Sequence, residues 1–210
     1  MNYLVNNAAE PVANFVFAHG AGAGMEHEFL HTMAKALAGR GINVLRFDFP
    51  YMAEAKQQNR RRPPNPAKVL LAHFEQVLAD LGEQLDAKLP LFIGGKSMGG
   101  RMASILLPDC QARGGICFGY PFHPPGKPEK LRTEHLQDMA KPLLIVQGER
   151  DTFGHQQEIA SYGLSKQVNT RFLPDGDHSF KPRKASGHTQ AQHIDTAAEW
   201  TATFIKEQLS

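Results

Sequence analysis

The chain predicts an α/β sandwich, a mainly parallel sheet with helices on both faces, and three observations carry that expectation. Short apolar runs recur without polar alternation, as strands covered on both faces require. Helical patterns lie between them, which supplies the cover and makes right-handed parallel crossovers the default. The balance of 41% hydrophobic and 21% charged residues is that of a globular chain. Its 210 residues suffice for one hydrophobic core and are few for two, so residues 1–210 are expected to form one domain.

The elements follow in order. Asn14–Ala18 reads as a strand and runs into the glycine-rich His19-Gly20-Ala21-Gly22-Ala23-Gly24. A helix is expected from Glu26 to Ala38, with Phe29, Met33, Ala36 and Leu37 recurring on one face, and Gly39 and Gly41 stop it. Ile42–Phe47 is the next strand. Residues 50–66, rich in Arg, Asn and Pro, are expected to form a loop. Ala67 to Leu85 keeps helical spacing through Val69, Leu70, Phe74, Val77, Leu78 and Leu81. Leu89–Ile93 is a strand, and Gly99–Leu107 begins another helix. Gly115–Gly119 and Leu143–Gln147 are further buried strands, Thr170–Leu173 is a weaker one, and Gln190–Gln208 closes the chain as a helix. The sheet then has about six to seven strands. Most of an N-terminal strand pair and any cap insertion are missing from the pattern.

Bulk properties narrow the function classes. A formal net charge of +2 gives no reason to expect nucleic acid or an anionic membrane as partner. Met1 to Pro11 has no basic region followed by an apolar core, and no apolar run approaches the roughly 18 residues of a membrane span. Cys110 and Cys117, the two cysteines, read as reduced thiols. These observations together imply a cytoplasmic protein. Arg60-Arg61-Arg62 has no interleaved aromatics and reads as a solvated loop. It follows a strand end with Tyr51 and Met52, so a second reading places it at a cleft for an anionic substrate. Phe122-His123-Pro124-Pro125, after another strand end, would form the opposite wall.

Chemistry is expected at the carboxyl ends of the strands. After the strand at Leu89–Ile93, Gly95-Lys96-Ser97-Met98-Gly99 fits G-x-S-x-G between strand and helix. A nucleophile on so sharp a turn takes a strained backbone, and its close neighbours must lack bulk, which Gly95 and Gly99 satisfy. The turn also brings the Met98 N–H to a helix N-terminus, where it can face a developing oxyanion. Lys96 is expected to face solvent or a neighbouring loop, and Arg101 to tie loops together. A serine hydroxyl needs a base, and the base an orienting acid. Asp151 stands just past the strand Leu143–Gln147, and His178 follows Thr170–Leu173, giving the order Ser…Asp…His. Glu149, Asp175 and Asp177 compete for the acid's place. The last two lie too close in sequence to His178 to orient it from behind. The second oxyanion donor is expected at Ala21, in the glycine-rich loop after the first strand, with His19 as its buttress.

With these residues in place, the chain resembles the α/β-hydrolase superfamily over nearly its whole length. GKSMGGR, HGAGAG, GERD and GDHSF together are similar to a small lidless group related to the dienelactone hydrolases. That group includes testis-expressed hydrolase-like proteins and subunit three of the nuclear NSL complex. The resemblance implies an α/β-hydrolase fold without a cap, a nucleophile at Ser97, an acid at Asp151, a base at His178 and oxyanion donors at Ala21 and Met98. It implies hydrolysis of a small ester or thioester with no metal or organic cofactor. Some relatives act as partners in assemblies, so the alternative is a hydrolase fold used as an interaction module. Two other readings fail on the residues. A phosphate-binding loop ending at Gly95-Lys96-Ser97 would need glycine at Pro90. A dinucleotide fingerprint starting at Gly20 would place Met25 at its third glycine, which leaves Asp48 as a structural acid.

Overall fold

Strands and helices alternate along residues 1–209, which the computed structural model describes. The strands are β1 (Tyr3–Asn6), β2 (Ala13–Ala18), β3 (Ile42–Phe47), β4 (Leu91–Lys96), β5 (Gly114–Phe118), β6 (Leu143–Gly148) and β7 (Val168–Leu173). The helices are α1 (Glu28–Ala38), α2 (Pro50–Gln57), α3 (Ala67–Ala79), α4 (Met98–Leu106), α5 (Glu134–Gln137), α6 (Gln156–Ile159) and α7 (Gln190–Glu207). One sheet holds the strands in the order β1-β3-β2-β4-β5-β6-β7. Only β1 runs antiparallel, with Tyr3 opposite Phe47; every other pairing is parallel.

The apolar runs explain the three layers. Every residue of β2, β3, β5 and β6 is buried, and successive side chains supply opposite cores. On one face Phe15, Phe17, Val44, Ile116, Phe118 and Val146 pack under α1 and α7. On the other, Val16, Ala18, Leu45, Ile93, Cys117 and Ile145 pack under α3 and α4. In the first core, Phe17 meets Phe118 at 5.4 Å between ring centroids and Phe29 meets Phe180 at 5.3 Å, both edge to face. Such pairs contribute about 1 kcal/mol each beyond their burial. Because the central strands are parallel, their carboxyl ends form one crest: Ala18 is opposite Gly95, Lys96 opposite Phe118, and Gly148 opposite Leu173. No helical insertion among the described residues covers that crest.

Several expectations need correction. Residues 50–57 are helical, not loop; Pro50 occupies the first helical position, where its fixed φ suits a helix start. The long helix from Ala67 stops at Ala79 and gives way to a tight turn at Leu81–Glu83, although Leu81 and Leu85 remain buried. The fourth strand starts at Leu91, just after Pro90, and runs on to Lys96. At the N-terminus one strand of the missing pair is present as β1. Both cysteines are free, Cys117 buried and Cys110 partly so. No helix of the described residues is long and apolar enough to cross a membrane.

Candidate active site

Ser97 sits between β4 and α4 with φ 51° and ψ −117°, in the left-handed region that side chains avoid. Neighbouring glycines permit the turn. A Cβ on Gly95 would fall 2.3 Å from the Gly99 carbonyl carbon, and one on Gly99 would fall 2.5 Å from the His19 carbonyl oxygen. The strand and helix therefore meet backbone to backbone, and the Ser97 side chain stands clear at the crest.

Three side chains from three strand ends converge there. Ser97 Oγ lies 2.9 Å from His178 Nε2, and His178 Nδ1 lies 2.8 Å from Asp151 Oδ2. Since the carboxylate can only accept, Nδ1 carries the proton and Nε2 is left to accept from the serine hydroxyl. The His178 ring stacks on Phe153 at 4.2 Å between centroids. Asp151 is fully buried and accepts two further hydrogen bonds, from Gln147 Nε2 at 2.9 Å and from the Phe153 N–H at 2.8 Å. Gln147 is itself fixed at both ends, accepting from the Tyr120 N–H and donating to the Tyr120 and Gly154 carbonyls. The competing acids are engaged elsewhere. Glu149 accepts from the Asp175 N–H, Asp175 pairs with Arg150 and Arg183, and Asp177 accepts from the Ser179 and Lys181 N–H groups.

The glycine-rich loop lies over Ser97: a Cβ on Gly20 would fall 3.6 Å from Ser97 Cβ. No backbone hydrogen bond among the described residues occupies the N–H of Ala21 or Met98. His19 supports this loop from below. Its Nε2 accepts from the Phe49 N–H at 3.0 Å, so Nδ1 holds the proton and donates to the Gly20 carbonyl at 2.7 Å. Burial lowers its pKa and keeps it neutral, against the opposing pull of that carbonyl and Asp48. The Tyr51 hydroxyl reaches the same loop, 3.0 Å from the Ala21 carbonyl oxygen and 3.3 Å from that of Gly20. Asp48 accepts from the Met25 N–H at 2.8 Å and pairs with Lys56, a structural place in keeping with its reading from sequence.

Other expectations hold in part or not at all. Lys96 turns not to solvent but to the neighbouring loops at Gly119 and Phe180. Its ammonium is buried, makes no hydrogen bond, and lies 5.7 Å from the Phe29 ring centroid and 6.0 Å from that of Phe180. Burial lowers its pKa to about 8, against the opposing pull of Asp151 and Asp177. Arg101 ties no loops together: its side chain makes no hydrogen bond or ion pair among the described residues, and its Nε is buried. Arg62 folds back onto Glu54 at 3.0 Å and Gln58 at 2.8 Å. Phe122 packs against Gly154 and Tyr162, and His123 turns to Glu158 at 3.3 Å. Of these only Lys96 lines the cavity beside Ser97; Arg101, Arg62, Phe122 and His123 do not. That cavity holds about 610 Å³ and is walled by the Gly20–Ala23 loop, Phe29, Leu30, Phe153, His178 and Ile194. Sequence reasoning missed the walls given by the first turns of α1 and α7, because only tertiary packing brings them there. It also missed Gln147, whose signal was available as a lone amide in the apolar run LLIVQ. No group of three or more His, Cys, Asp or Glu among the described residues is placed to hold a metal ion.

The fold has counterparts among known proteins. The model of a family described as an alpha/beta hydrolase domain matches residues 11–206. An alpha-beta serine hydrolase homologue from Coxiella burnetii shares 17% identity over 96% of this chain and 89% of its own, with a TM-score of 0.73. A lidless serine hydrolase from Xanthomonas campestris shares 17% identity over 98% of this chain and 88% of its own, at 0.74. Dienelactone hydrolase from Anabaena variabilis shares 16% over 98% and 90%, at 0.72. At these identities the likeness is one of fold.

Proposed function

The chain belongs to the alpha/beta hydrolase domain family, and on that premise we propose that it is a serine hydrolase acting on a small ester or thioester. The observation that carries this reading is the continuous hydrogen-bonded path that starts on Ser97, a serine with a strained backbone, and runs through His178 to buried Asp151. Ser97 is the nucleophile, His178 the general base and Asp151 the acid that holds the imidazole in its tautomer and stabilises the imidazolium. As Oγ attacks the carbonyl carbon, its proton passes to His178 Nε2, and the oxyanion is met by the N–H groups of Ala21 and Met98. His178 then protonates the leaving alcohol or thiol. A water activated by the same nitrogen hydrolyses the acyl-enzyme and restores the serine. The family match covers residues 11–206, and the reading takes residues 1–210 as one domain.

The cavity supports the substrate class. At about 610 Å³, lined by Phe29, Leu30, Phe153 and Ile194, it suits a compact apolar acyl or aryl group. Labelling with a fluorophosphonate probe tests the reading, with Ser97→Ala as comparison. Wild type should label and the variant should not, and turnover of an ester panel should fall by a factor on the order of 10⁴ in the variant. A well-folded wild type that takes no label would defeat the hydrolase reading and favour an interaction module.

A further inference from the structure

We propose that Tyr51 is a positioning residue for the oxyanion loop, an inference that rests on Ser97 acting as the nucleophile. The loop has little to fix it from above. Ala21 is exposed, and a Cβ added to Gly22 would meet nothing within 4 Å. Its orientation is set from below, through its carbonyl groups. His19 Nδ1 holds the Gly20 carbonyl at 2.7 Å, and the Tyr51 hydroxyl donates to the Ala21 carbonyl at 3.0 Å and approaches that of Gly20 at 3.3 Å.

In a planar trans peptide the C=O and the following N–H point to opposite sides. Anchoring the Gly20 carbonyl turns the Ala21 N–H away from the anchor, and anchoring the Ala21 carbonyl does the same for the Gly22 N–H. The anchors lie in the protein interior, so the freed N–H groups face the open side beside Ser97. An oxyanion donor is effective because it is oriented before charge develops, and here two buried side chains supply that order.

Tyr51 is well placed for the task. It is 1% exposed, its ring packs 5.8 Å from that of His19, and its backbone N–H is held by Asn65 Oδ1 at 2.8 Å. Burial pushes its phenol pKa up, with Asp48 adding to the shift, so the hydroxyl keeps its proton and remains a donor. Segment 50–66 thus has a use beyond connection: α2 presents the hydroxyl, and Asn65 of the irregular stretch after it steadies the backbone that carries it.

Tyr51→Phe removes the hydroxyl and keeps the ring. On p-nitrophenyl butyrate, kcat should fall about tenfold with KM changed less than twofold, since a misdirected donor costs less than the 10²–10³ of a lost one. Affinity for a trifluoromethyl ketone, which mimics the tetrahedral intermediate, should fall by the same factor. A merely structural role would lower the thermal midpoint without that matched loss. Asn65→Ala, which keeps the hydroxyl, should give the same pattern at smaller size. Unchanged kcat and ketone affinity in folded Tyr51→Phe would overturn the proposal while fluorophosphonate labelling of wild type stood. Absence of labelling in wild type would remove the nucleophile, and both readings would fall together.

Discussion

Asp151 and Lys96 are both buried ionisable residues at the ends of strands that flank β5, and the fold treats them in opposite ways. The carboxylate receives hydrogen bonds from Gln147, the Phe153 N–H and His178, so its charge is met on every side. The ammonium finds no acceptor for its hydrogen bonds and lies near two aromatic rings. A buried carboxylate so surrounded orders its neighbours at little cost, whereas a buried cation without acceptors is kept at a cost in stability. Both also lie near His178, whose Nδ1 is bonded to Asp151. A Cβ on Gly119 would fall 2.8 Å from Lys96 Nζ and 3.3 Å from His178 Nδ1, so the unpaired cation and the paired carboxylate approach the same edge of the imidazole. Stability and chemistry part company where a local rule is broken beside the proposed base.

The largest test of that contrast is Asp151→Asn. An amide in place of the carboxylate should reverse the tautomer of His178 and lower kcat by about 10⁴, with the fold intact by near-ultraviolet circular dichroism. Activity within tenfold of wild type would mean that another acid orients the histidine. Next in size is Lys96→Met, which keeps the apolar stem and removes the charge. The lysine falls from 10.5 to about 8. Between those values the unfolded chain still binds a proton that the folded chain has released, so wild-type stability should rise with pH across that window. Below it the folded state bears the whole cost, on the order of 3 kcal/mol. Urea unfolding at pH 7 should therefore find Lys96→Met more stable by up to that amount, and its stability flat from pH 8 upward. Equal or lower stability in the variant would show that the ammonium is compensated after all. The smallest effect is expected from replacing Arg60, Arg61 and Arg62 with alanine. Arg62 is tied to Glu54 and Gln58, and none of the three lines the cavity. The ratio of kcat/KM for an anionic and a neutral ester should stay within twofold, and a larger change would return the loop to the substrate path.

What could be read beforehand depended on how local the cause was. The strand–Ser97–helix turn is legible because its requirements fall within five consecutive residues: a strand end, a helix start and two glycines. Asp151 and His178 were found because a parallel sheet sends every strand end to one crest, so order along the chain stands in for position. Lys96 misled because a lysine in a glycine-rich turn reads as exposed, and only the packing of Phe29 from α1 and Phe180 beyond β7 buries it. The helix at 50–57 was hidden in a composition dominated by the irregular residues after it. The cavity walls were illegible for a related reason. Residues as far apart as Phe29, Phe153 and Ile194 share no pattern that spacing along the chain would expose.

The glycine packing at the turn has a further consequence, for how the chain can change. A side chain on Gly95 would meet the backbone of Gly99 and Gly100, one on Gly99 the backbone of Ala18 and His19, and one on Gly100 the carbonyl of Gly95 and the side chain of Cys117. No single replacement at these three positions can be absorbed by rotating a side chain, because each obstacle includes main chain. Of the residues from Gly95 to Gly100 other than Ser97, only Lys96 and Met98 remain open to variation. The turn must therefore be inherited as a block, and variation beside Ser97 is confined to those two neighbouring side chains.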